Sequence, residues 1–210
     1  MKLGIRVHQG RLGAEQFRVI RPARPVTGAV LGRKAPWVLL GSTLTPPSPL
    51  PDCGCPQPGH RTLIHVPLRG NTPPVPSRAT MATGELDLVL GHSDLPFAPN
   101  RWKPLRQSRG DRAAHTITWD PDDVPAWEHV HRFKHRTRRH CSDRDSMHGR
   151  LHAHTLVLTG NEGAFRSTAR NVLDTALWQP DPSHPDGYSA TLHPADGDFA
   201  VTGRGIYLVR

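Results

Sequence analysis

The longest apolar runs in this chain, such as Trp37 to Leu40 and Thr155 to Leu158, are only as long as a β-strand. Runs of four to six residues that end at glycine or proline suit short strands better than long amphipathic helices. They also fall far below the roughly 18 apolar residues of a membrane span, so no membrane partner is expected. With 22 prolines, 19 glycines and 36% hydrophobic residues in 210, the core is expected to be modest.

Strand-like runs of this kind occur at Leu3 to Val7, Gln16 to Ile20, Trp37 to Leu40, Thr62 to Val66, Glu85 to Leu90 and His115 to Trp119. Leu151 to Thr159 is the strongest of them. Tyr188 to Leu192, Asp198 to Thr202 and Gly205 to Val209 close the chain, and TGRG between the last two reads as a hairpin connection. Thr43 to His60 contains six prolines, which disfavour helix and central strand alike, so it reads as an extended loop. Two helices are predicted. One covers 122–139, where Asp120 or Asp122 can cap the start and basic residues suit the end; the other runs from Gly160 to Trp178. The expected fold is therefore α+β: a strand-rich single domain with about two helices in the C-terminal half and a proline-rich irregular loop in the N-terminal half. Residues 1–80 form a basic, proline-rich segment with short strands, and 81–210 an α+β region.

The net charge of +9 points to a polyanionic partner, but its composition matters. Arginine outnumbers lysine heavily, and Pro, Gly, Ala and His are abundant, a skew that GC-rich codons alone produce. The distribution of charge is then more informative than the total. Residues 1–79 carry eleven Lys/Arg against Glu15 and Asp52, and a second excess sits in 128–154. Only three cysteines are present, so a disulfide framework is not expected. The N-terminal MKLGIRVHQGRLG has no apolar h-region, which predicts a cytoplasmic protein.

The second basic block, HVHRFKHRTRRHCSDRDSMHGRLHAH from His129 to His154, holds seven of the fourteen histidines. On a helix, Glu128, His131 and His135 share one face. Imidazole is a preferred ligand of zinc and similar divalent metals, of which three or four ligands must converge. Exposed surface histidines in a histidine-rich composition are the plain alternative. On a strand, His152 and His154 would alternate onto one face. Cys53, Cys55 and His60 in PDCGCPQPGH could join His140 and Cys141, although Cys-x-Cys is tighter than the usual zinc spacing. Gly160 and Gly163 precede a helix-like run but lack the Gly-Lys-Ser/Thr of a phosphate loop. GELDLVL at 84–90 suits the first acidic half of a nuclease site with a carboxylate on a strand, and His92-Ser93-Asp94 the start of a non-haem iron triad, but each is a two-residue coincidence that a solvated strand edge and turn explains at lower cost.

LHAHTLVLTG, through its His152-x-His154 pair, resembles the metal-binding motif of the HUH endonucleases over about seven residues. The resemblance implies a metal held by the two histidines that polarises a scissile phosphate for attack by a tyrosine. The tyrosines here are Tyr188 and Tyr207, both in glycine-flanked, strand-like settings rather than on a helix. Taken together, the residues predict a basic nucleic-acid-associated protein. Arg132, Lys134, Arg136, Arg138 and Arg139 would meet phosphates, and a divalent metal such as zinc would sit at His131 and His135 or at His152 and His154. The alternatives are a structural protein that binds an acidic protein partner, and a metal-dependent phosphodiester-cleaving enzyme.

Overall fold

The computed structural model describes residues 2–27, 29–34, 37–42, 61–71, 84–108, 110, 112–118, 147–161, 164, 165, 168, 189–192, 199–201 and 206–209. Strands β1 (Lys2–Leu12) and β2 (Glu15–Pro22) form an antiparallel hairpin in which Leu12 faces Glu15. Its two-residue turn uses Gly13 at φ +61, a conformation glycine adopts without steric cost. β3 (Ala29–Lys34) and β4 (Trp37–Ser42) pair antiparallel. β5 (Thr62–Val66) and β6 (Asp87–His92) follow, and the chain then forms a 3-10 turn at Pro99–Arg101 that leads into α1 (Trp102–Gln107). The remaining strands are β7 (Arg112–Thr118), β8 (Met147–His152), β9 (Thr155–Gly160), β10 (Ser189–Leu192), β11 (Phe199–Val201) and β12 (Ile206–Val209).

These strands make two mixed sheets. The large one has eight strands in the order β11-β8-β9-β6-β5-β2-β1-β7, and the small one four, β10-β12-β4-β3. In the large sheet β2 with β5, β6 with β9, and β8 with β11 are parallel, and the other neighbours are antiparallel. The 80/81 division of the sequence falls between β5 and β6, which lie side by side in this sheet.

Both faces of the large sheet are covered at its centre, which explains why β5 is buried at every position. Alternate residues serve opposite faces. Phe17, Val19, Leu63, Val89 and Val157 pack under Leu95, Phe97 and α1 through Trp102 and Leu105. Ile64, Val66, Leu88, Met147, Leu156 and Leu158 pack on the other side with Ala29 and Leu31 of β3, Leu68, Leu86 and Ala164. Each fully buried aliphatic side chain contributes about 1.5–3 kcal/mol, so these two layers hold the sheet. The two-sheet contact is reinforced where Glu85 and Leu86 both donate backbone N–H groups to the Leu31 carbonyl.

The fold class differs from the sequence expectation. The structure is strand-rich, and among the described residues the regular helix is α1 with its preceding turn, Pro99–Gln107, at mid-chain. Among the described residues the C-terminal half contributes chiefly strands, β7 to β12, rather than two helices. The predicted helix over 122–139 lies outside the described residues. Of the stretch from Gly160 to Trp178, residues 160, 161, 164, 165 and 168 are described: Gly160 ends β9, and Ala164, Phe165 and Thr168 carry helical backbone. The physical reason for the strands is a period of two that polar residues conceal. In MHGRLH, buried Met147 and Gly149 and half-buried Leu151 alternate with exposed His148, Arg150 and His152. The hairpin expected at TGRG is also absent, because β11 joins the large sheet and β12 the small one. The proline-rich stretch 43–60 lies outside the described residues. No described helix is long and apolar enough to cross a membrane.

Candidate functional site

The face of the large sheet that carries α1 holds most of the described chemistry. Its floor is a buried polar pair. His65 follows Leu63 by two positions on β5, and Asp87 precedes Val89 by two on β6, so both point to the α1 side. The register sets His65 opposite Val89, one step diagonal from Asp87. Both are buried, with His65 Nε2 at 3.9 Å from Asp87 Oδ2, an electrostatic contact longer than a hydrogen bond. The His65 ring meets Trp102 of α1 edge-on, with ring centroids 4.7 Å apart.

Asp87 is tied down by backbone and cation together. Its Oδ1 accepts from the N–H groups of Leu68 at 3.1 Å and Arg69 at 3.0 Å. Arg106 of α1 brings Nη1 to 3.8 Å from Oδ2. Burial alone raises the carboxyl pKa, but the His65 ring and the N–H groups of Arg69 and Leu68 outweigh it and hold Asp87 at about 2. Asp87 is thus ionised across the neutral range, and His65, 2% exposed, is sealed beneath Trp102. A pair so shielded can anchor α1 and fix charge, but it does not meet a solvent-borne substrate.

Around this floor the sheet presents cations. Arg6 on β1 lies directly opposite Arg21 on β2. By strand alternation both share the α1 side with His8, Phe17 and Val19. On the far flank, exposed His148, Arg150 and His152 alternate along β8, on the side opposite buried Met147 and Gly149. Between the flanks, α1 turns exposed Lys103 and Gln107 outward while burying Trp102 and Leu105. At one end of the face, Arg61 and Arg101 lie over the Phe17 ring, 5.8 and 5.5 Å from its centroid, and both pair with Glu15. Those two guanidiniums lower the Glu15 pKa, Arg101 most strongly.

The residues predicted from sequence fall in different places. Arg132, Lys134, Arg136, Arg138, Arg139, His131 and His135 lie outside the described residues, as do Tyr188, Cys53, Cys55, His60, His140 and Cys141. His152 and His154 are described, and the strand expected to align them is interrupted. His152 ends β8, Ala153 and His154 form the turn, and β9 begins at Thr155. Tyr207 lies in β12, in the small sheet, whereas His152 lies in the large one. His92 and Asp94 do meet, with Nδ1 and Oδ2 3.5 Å apart, as a local pair in the turn after β6. Among the described residues no group of three His, Cys, Asp or Glu side chains is placed to hold a metal ion.

Sequence reasoning misses His65 and Arg106, and reads the stretch GELDLVL, which contains the buried Asp87, as a solvated strand edge. The signal that could have found the pair is a titratable residue at an inward position of an otherwise apolar strand, in TLIHV and in LDLVL, where water cannot satisfy it. No protein family matches the chain, and no curated protein or solved structure matches it either.

Proposed function

We propose that this protein is a basic nucleic-acid-associated protein whose folded sheet supplies part of the phosphate contact. The observation that carries this reading is the charge balance of the described surface. Eleven Lys and Arg residues are at least partly exposed there, against the three carboxylates of Glu15, Glu85 and Asp94. Glu15 is already paired with Arg61 and Arg101. Among the described residues Arg6, Arg69 and Arg150 pair with no carboxylate. Arginines left without counter-charge, Arg6 and Arg150 on strands and Arg69 in the turn after β5, are suited to polyanions, which release condensed counterions on binding. Arg132, Lys134, Arg136, Arg138 and Arg139 extend the same function in this proposal.

The test is a titration of the purified chain with labelled nucleic acid by fluorescence anisotropy across salt concentrations. The reading requires log affinity to fall linearly with log salt, with a slope set by the number of phosphates bound. Affinity that ignores salt, or no binding at low ionic strength, sinks it and leaves an acidic protein as the partner class.

A further inference from the structure

We infer that the α1-bearing face of the large sheet is a binding surface for the phosphate backbone of a nucleic-acid duplex, read without base stacking. This inference rests on the nucleic-acid reading above and assigns it a place and a substrate form.

Arg6 on β1 and Arg150 on β8 share one face, and the strand order separates them by five inter-strand steps. Counted along the twisted sheet at about 4.8 Å per step, the two flanks are roughly 24 Å apart, with α1 packed between them through Trp102 and Leu105. A duplex carries one charge per ~1.7 Å of axis over its whole circumference, so even the side turned to this face offers more phosphates over that span than Arg6, Lys103 and Arg150 can engage. Lys103, exposed on the outer side of α1, stands between them. The carboxylate at the floor, Asp87, is buried and already engaged by backbone N–H groups, His65 and Arg106, so it does not oppose an anion above it.

The aromatic rings on this side, Phe17, Phe97 and Trp102, are all buried in the core. Single-strand binders rely on exposed aromatic platforms for successive bases, and none is presented among the described residues of this face. Cations on a rigid surface without stacking rings match the regular backbone of a duplex instead.

Arg6 lies directly opposite Arg21 across β1 and β2, so a second cation adjoins it on this face. Arg6→Gln should weaken binding while the protein stays folded in thermal melts, a combination that a purely structural arginine would not give.

The experiment measures binding of a mixed-sequence duplex to the full chain and to Arg6→Gln, Lys103→Gln and Arg150→Gln, with thermal melts to verify folding. Arg18→Gln is the control, because Arg18 is exposed on the opposite face of β2. Removing one phosphate-binding cation should lower the salt slope by about 0.9, which is about eightfold in affinity at 0.1 M salt, with Arg18→Gln unchanged. Equal weakening in Arg18→Gln overturns the inference, since total charge rather than this face then governs binding. Wild-type binding that all three variants retain also overturns it but leaves the nucleic-acid reading intact. Tighter binding to the single strand than to the duplex refutes the choice of duplex. No binding by the wild type removes the nucleic-acid reading and this inference with it.

Discussion

Asp87 is the residue whose environment departs furthest from a surface carboxylate, and that departure sets a pH dependence. Its pKa is lowered from the ordinary 3.8 to about 2 in the fold. A depressed carboxyl contributes stability above its unfolded value and loses it as pH falls through the folded one. The contribution is therefore complete above about pH 5 and gone below about pH 2, with a magnitude of about 2 kcal/mol. Urea unfolding at stepped pH should show the wild type losing this amount across that window, while Asp87→Asn, already weaker at neutral pH, lacks that component. A parallel acid limb in both proteins would contradict the assignment. Ala153 is the second informative residue, since it holds φ +48 in the β8–β9 turn. The left-handed region costs an L-residue about 1–2 kcal/mol, and glycine avoids this at an entropic cost of about 0.4–1 kcal/mol. Ala153→Gly should therefore raise stability by up to about 1 kcal/mol in the same assay. A decrease would show that the turn is not strained.

At the scale of elements, legibility in the sequence follows side-chain chemistry. Thr62–Val66 is plain because every residue in it is apolar or β-branched apart from His65, and β5 has those bounds. β8 is hidden because its outward positions are His and Arg, which read as a polar connection. Its turn, Ala153-His154, carries none of the Asn or Gly that usually announces a hairpin. β3 escapes notice because Gly32, Arg33 and Lys34 dilute its pattern. α1 is obscured by prolines, yet Pro99 opens the preceding turn and Pro104 lies in the first turn of the helix, where its missing N–H has no intrahelical role. The pair at the site is half readable: a titratable residue at an inward position shows in TLIHV and LDLVL, but that His65 and Asp87 meet depends on which strands become neighbours. One element junction gives a sharp expectation. Gly84 donates to the Asn71 carbonyl and accepts from Gly70, and a Cβ there would sit 2.5 Å from the Leu68 carbonyl oxygen. Gly84→Ala must displace backbone next to the Asp87 anchor and should cost about 2–3 kcal/mol. A stability change within about 0.5 kcal/mol, measured by urea unfolding, would rule out that close approach.

Across the whole molecule, metal content is the measurement that bears on the histidine-rich block. If a divalent metal is held by His131 and His135, His131→Ala should abolish it while His152→Ala leaves it intact, with atomic emission on dialysed protein as the readout. The reverse pattern would assign the metal to the β8–β9 turn instead. The two-sheet arrangement has a further consequence for how the chain is made. In the small sheet β4 pairs parallel with β12, so that Val38 meets Ile206. During synthesis, β4 emerges long before the strand that will lie beside it, and its free edge is a template for pairing with other nascent chains. Pairings so distant in sequence also slow folding, because the loop must close before the pairing rewards it. The small sheet should thus be the last part to form, and refolding should begin to depend on protein concentration when β12 is deleted, because the β4 edge then stays open. This protein should therefore be most exposed to misassembly while its chain is incomplete, before β12 closes the edge of β4.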